Sequence, residues 1–91
     1  MNNIKTIEIK IKGRVQGVGF RYYTKKKAQE FNISGFVQNM PDGSVYIEAE
    51  GEDIDVKTFA EWCEKGPSWA RVIEIKKTDL PTAGHSSFVI R

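Results

Sequence analysis

Residues 4–12 (IKTIEIKIK) alternate strictly, with Ile7, Ile9 and Ile11 on one side and Thr6, Glu8, Lys10 and Lys12 on the other. A period of two is that of a half-buried strand. The alternation stops at a glycine-punctuated stretch, Gly13 to Gly19 (GRVQGVG). Residues 20–31 (FRYYTKKKAQEF) then take up helical spacing. Phe20, Thr24, Lys27, Ala28 and Phe31 share one side, with Tyr23 at its border. Lys27 lies along that edge by its aliphatic stem, while Lys25, Lys26 and Gln29 face water.

Two further strand-like runs, 33–39 (ISGFVQN) and 44–51 (SVYIEAEG), flank Met40-Pro41-Asp42-Gly43. Pro fixes φ, Asp tolerates the bend and Gly accepts positive φ, so the pair reads as a hairpin. In its second arm Val45, Ile47 and Ala49 point one way, and Tyr46, Glu48 and Glu50 the other. A second helix is expected over 53–65, with Asp53 as N-cap and Val56, Phe59, Ala60 and Cys63 as its apolar stripe; Trp62 stands at the margin. Gly66-Pro67 ends it. Residues 70–78 (ARVIEIKKT) predict a fourth strand and 87–91 (SFVIR) a short fifth, joined by the loop 79–86 (DLPTAGHS).

The order β-α-β-β-α-β plus a terminal strand predicts an α+β fold. It is the ferredoxin-like sandwich, with two helices on one face of an antiparallel sheet and strands one and three at its centre. Residues 1–91 form a single domain, since a chain of this length leaves no room for a second. Many functions share this fold, so function must come from a site.

Composition narrows the field. Forty per cent of residues are apolar and 11% aromatic, which favours a packed globule over a disordered chain. The single cysteine, Cys63, cannot form an intramolecular disulfide, and with His85 it makes a poor zinc site. Neither a leader-like apolar run nor a membrane-length window is present, so a cytoplasmic protein is expected, with no membrane partner. The net charge of +2 conceals an asymmetry. Residues 1–45 hold eight basic and three acidic side chains, and residues 46–91 hold six and nine. Basic charge is concentrated early, where an anionic ligand is more plausible.

The chemistry-bearing stretch is Gly13-Arg14-Val15-Gln16-Gly17-Val18-Gly19-Phe20-Arg21. A glycine loop that ends at a helix start offers unpaired N–H groups and the positive end of the helix dipole, both suited to phosphate or carboxylate. Arg21 stands in the first helical turn, where the dipole mildly disfavours a guanidinium. Its placement makes sense if it turns back to the loop and binds an anion bidentately. Walker A is excluded because no Lys-Ser or Lys-Thr follows the glycines. The dinucleotide pattern is excluded because position 22 is Tyr22. On spacing alone, an anion cradle and a structural strand-to-helix turn both remain open.

These residues resemble the acylphosphatase family. Gly13 to Arg21 (GRVQGVGFR) is similar to its signature. So are Ser34-Gly35-Phe36-Val37-Gln38-Asn39, the Asp42-Gly43 turn, Gly66-Pro67 with Ala70 and Val72, and the closing Ser87 to Arg91. The resemblance implies a metal-independent hydrolase of the carboxyl–phosphate anhydride, with acyl phosphate and inorganic phosphate as its small-molecule partners and no cofactor. Phosphate would lie in the backbone cradle of Gln16, Gly17, Val18, Gly19 and Phe20, with Arg21 as charged clamp. Asn39 would position the attacking water. Chemistry agrees with so sparse a site. The leaving carboxylate has a conjugate acid of pKa roughly 4 to 5, so no general acid is needed to expel it. Phosphoryl transfer otherwise needs mainly positioning and electrostatic stabilisation.

Other groups take quieter expectations. Arg14 and Lys25 to Lys27 read as surface charge, Glu48 and Glu50 as solvated strand carboxylates, and His85 as a surface residue. Cys63 reads as a small buried hydrophobe, and Trp62 and Trp69 as packing residues. RNA binding is the rival from another class, because RNA-recognition domains share the element order. Here the third strand offers one outward aromatic, Tyr46, beside two acids, so no nucleic-acid partner is expected. Two nearer alternatives are a domain of a larger carbamoyl-transfer protein and a phosphate-binding regulatory module without turnover. A monomer is expected.

Overall fold

The computed structural model describes residues 3–91. Strands β1 (Ile4–Arg14), β2 (Ser34–Asn39), β3 (Val45–Glu52), β4 (Arg71–Leu80) and β5 (Phe88–Ile90) alternate with helices α1 (Phe20–Glu30) and α2 (Asp53–Lys65). The sheet order is β4-β1-β3-β2-β5, so the first and third strands are central, as the crossovers require. Ile7, Ile9 and Ile11 of β1 meet Ala49, Ile47 and Val45 of β3 in antiparallel register. All six are buried beneath the helices. Phe20 and Ala28 of α1, with Val56, Phe59 and Cys63 of α2, close the core from above. Burial pushes the Cys63 thiol up, in keeping with a small apolar filler.

Two details of the expected architecture change. The sheet is mixed rather than wholly antiparallel, because β5 pairs with β2 in parallel. The reason is the path of the chain. β4 ends beside Thr6 and β2 begins beside Glu50, and Thr6 faces Glu50 across β1 and β3, so the end of β4 and the start of β2 lie at the same end of the strands. A chain that leaves β4 there and re-enters beside β2 must run in the direction of β2. Secondly, Asp53 is the first residue of α2 and Glu52 the N-cap. The Asp53 N–H donates to the carbonyl of Asn3 (3.0 Å), so an otherwise orphaned helix donor is satisfied from the start of the chain. Boundaries elsewhere move by one or two residues; β1 reaches Arg14 and β4 reaches Leu80.

The loop 81–87 crosses the sheet face opposite the helices, and it overturns the expectation that Glu50 and His85 face solvent. Glu50 is 5% exposed. Its Oε2 accepts bonds from Thr6 Oγ1 (2.5 Å) and the Ala83 N–H (2.7 Å), and its Oε1 accepts the His85 N–H (2.8 Å). Burial alone would raise the carboxyl pKa. The bonds from Thr6, Ala83, His85 and Gly84 outweigh it and hold the value at about 2, below the ordinary 4.5. His85 Nε2 lies 2.9 Å from Glu48 Oε1, and its half-buried ring packs edge-on against Phe36. Glu50 and Glu48 of β3 are thus fasteners for the loop that leads into β5.

Candidate active site

Val15, fully buried, anchors the loop between β1 and α1 in the core. Beyond it the backbone turns through Gly17 (φ 72°) and Gly19 (φ 77°), both in the left-handed region that glycine tolerates without strain. Gly19 is the N-cap of α1 and offers no side chain to the helix. The first-turn N–H groups therefore lack the side-chain acceptor that commonly closes a helix start.

Opposite this loop stands the hairpin of β2 and β3, bound to it by Gln16. The Gln16 side-chain amide donates to the carbonyls of Met40 and Ser44, each at 2.8 Å. At the hairpin tip Asp42 Oδ1 accepts from Ser44 N (2.9 Å) and Ser44 Oγ (2.5 Å). The Ser44 hydroxyl, then its N–H, hold the Asp42 carboxyl below the usual range. This turn ends β2 at Asn39 and sets that residue beside the glycine loop.

Between loop and hairpin lies a concavity of about 200 Å³. Gly17, Gly19, Phe20, Arg21 and Asn39 line it, with Tyr22 and Ile90 also at its wall. Of the residues expected at the site, these five converge; Gln16 and Val18 do not line the concavity. Gln16 instead acts through its side chain, a role that its place in a backbone motif does not reveal. Asn39 Oδ1 is buried and, among the described residues, has no hydrogen-bond partner. Arg21 Nη1 donates to the main-chain oxygen of Arg91 (3.0 Å), so the end of β5 fixes one side of the guanidinium. Arg91 is in turn held by its N–H to Val37 O (2.8 Å) and by its guanidinium over the Phe36 ring (3.8 Å to the centroid). Among the described residues, Arg21 is the charged side chain lining the concavity, and its positive charge favours an anion there.

Sequence reasoning missed three contributors: the Gln16 side chain, the Arg91 main chain and Trp69. The last is not simply a packing residue. It is 52% exposed, and its indole N–H donates to the carbonyl of Val18 inside the glycine loop. Among the described residues, no helix is long and apolar enough to cross a membrane.

A glycine-turned loop without a side-chain cap, one guanidinium and one carboxamide thus meet on a small α+β sandwich of the ferredoxin-like class. Its relatives identify the family within that class. The acylphosphatase family model matches residues 7–90. An acylphosphatase of Methanocella arvoryzae is 41% identical over 88 residues, covering 97% of this chain and 100% of the relative. The solved acylphosphatase of Coxiella burnetii superposes with a TM-score of 0.94 at 34% identity, covering 98% of this chain and 94% of that one. Full-length HypF, solved in a phosphate- and nucleotide-bound form, is similar over 100% of this chain but only 12% of its own (TM-score 0.89, 32% identity). The chain belongs to the acylphosphatase family, the acylphosphate phosphohydrolases.

Proposed function

We propose that this chain hydrolyses acyl phosphates to a carboxylate and inorganic phosphate by direct attack of water, without a metal or cofactor. The phosphoryl oxygens lie against the backbone N–H groups of residues 16–20, and Arg21 clamps them as a charged fork. Asn39 accepts a hydrogen bond from the attacking water through Oδ1. A carboxamide cannot take the proton, so the proton passes to a phosphate oxygen. As the water oxygen bonds to phosphorus, the bond from phosphorus to the carboxyl oxygen breaks. The departing carboxylate keeps the electron pair and needs no acid, since its conjugate acid has a pKa of roughly 4 to 5.

The observation that carries this reading is the convergence of Arg21, Asn39 and the two left-handed glycines on one concavity. A buried acceptor left unsatisfied is costly unless something polar occupies the space before it. In the proposed reaction the attacking water supplies the donor that Asn39 Oδ1 lacks among the described residues. RNA binding has less support. The sheet face on which bases would stack is crossed by loop 81–87, and the Tyr46 hydroxyl is bonded to Glu8 (2.9 Å). We read the chain as a cytoplasmic monomer acting on small molecules.

Release of inorganic phosphate from benzoyl or acetyl phosphate, with and without EDTA, tests the proposal. Release above the buffer rate, unchanged by EDTA, is the expected result. Phosphate binding without release would make the chain a binding module, and EDTA-sensitive release would overturn the metal-free mechanism.

A further inference from the structure

The loop contains one peptide plane whose orientation matters and which the loop itself does not fix. Across a trans peptide, the carbonyl of Val18 and the N–H of Gly19 point in opposite directions. Rotating that plane chiefly changes Val18 ψ and Gly19 φ, and glycine accepts either sign of φ. A rotated plane would aim a carbonyl, rather than an N–H, at a bound anion. Something outside the loop has to choose between the two.

We propose that Trp69 is the positioning residue that makes this choice. Its indole N–H binds the Val18 carbonyl, on a residue that does not line the concavity, and so keeps the Gly19 N–H turned towards the bound phosphoryl group. The inference rests on the cradle reading above.

The surroundings suit such a strap. Trp69 is half exposed, so its indole N–H had water available and did not need a protein acceptor for want of solvent. The Trp69 ring meets Tyr23 edge-on at 5.2 Å (76°). The same Tyr23 ring lies 3.6 Å from where a Cβ on Gly19 would stand. Trp69 and Tyr23 thus pack together beside residues 18 and 19. The segment carrying Trp69 is itself secured. Gly66 lies so close to Phe20 that a Cβ there would fall 2.5 Å from its ring, Pro67 is buried, and the Ala70 N–H donates to Pro67 O (2.9 Å).

The test compares Trp69→Phe, which keeps an aromatic ring but removes the donor, with Tyr23→Leu, which loosens the packing but keeps the donor. Trp69→Phe is expected to lose about tenfold in kcat/KM for benzoyl phosphate, and inhibition by inorganic phosphate should weaken in parallel, with little change in Tm. The phosphate-induced NMR shift of the Gly19 amide should shrink in the same variant. Tyr23→Leu should lose more stability than activity. Values of kcat/KM and phosphate inhibition within about twofold of an active wild type would overturn the strap while leaving the cradle intact. Equal losses of activity and of Tm in both variants would assign the effect to packing and overturn it too. A wild type that neither releases nor binds phosphate would instead overturn the cradle, and the strap with it.

Discussion

Two loops of the molecule offer backbone N–H groups, one to the fold's own carboxylate and the other, on the proposed function, to a ligand's anion. In loop 81–87 the N–H groups of Ala83, Gly84 and His85 converge on the Glu50 carboxylate, which also takes the Thr6 hydroxyl. The charge belongs to the fold, and the product is a fastened loop. In loop 15–19, among the described residues, no side chain caps the helix start and no carboxylate lines the concavity. On the proposed function its donors serve a ligand, and the loop is tied from outside by Trp69 and to the hairpin by Gln16. A backbone nest is structural when the chain fills it and functional when the chain holds it open.

If that contrast is right, damage to the two regions should separate activity from stability. The largest effect falls on Arg21→Ala. Loss of the charged clamp should reduce kcat/KM by more than the order of 10² to 10³ typical of one lost transition-state donor. Phosphate inhibition should weaken while Tm stays near wild type. Arg21→Lys should rescue poorly, because an ammonium cannot reproduce the planar fork. Near-normal turnover in Arg21→Ala would break the comparison outright.

Asn39→Ala should lower kcat by on the order of 10² while phosphate affinity is nearly kept, because the residue serves the water rather than the phosphoryl group. A large loss of phosphate affinity would make Asn39 a phosphate ligand instead.

Glu50→Gln should show the opposite pattern. It should cost about 1–3 kcal/mol of stability, read from urea unfolding, with near-normal activity per folded molecule. In the wild type the folded pKa of Glu50, about 2, lies below the ordinary 4.5. Its contribution is therefore complete above about pH 4.5 and fades as pH falls from there towards 2. Unfolding curves between those pH values should show a slope in the wild type that Glu50→Gln diminishes. An unchanged slope would remove Glu50 as its source.

The smallest effect is expected at Gly17. Its φ of 72° is unfavourable for a side chain, although open space surrounds the position. Gly17→Ala should therefore cost about 1–2 kcal/mol through backbone strain alone. Phosphate binding should weaken modestly with it.

The same contrast explains what could be read along the chain. The isoleucines of β1 and the outward and inward sets of β3 follow from a period of two, and the stripe of α2 follows from helical spacing. Each depends on neighbours a few residues away. The glycine loop and Arg21 were legible because they are contiguous. What remained hidden depends on long separations. Gln16 bonds to residues 24 and 28 positions onward, and Glu50 to backbone 33 to 35 positions onward. Alternation placed Glu50 on the outer face correctly but carried no sign of the loop that buries it. That loop also decides the direction of β5, and through β5 the main-chain partner of Arg21.

The central claim is that one nest is open and the other is filled. Titration of the 15N-labelled protein with inorganic phosphate, followed amide by amide, tests it most directly. Saturable shifts should concentrate on Gln16 to Arg21, while the amides of Ala83, Gly84 and His85 stay still. Shifts centred on residues 83–85, or none in the glycine loop at saturating phosphate, would contradict the account.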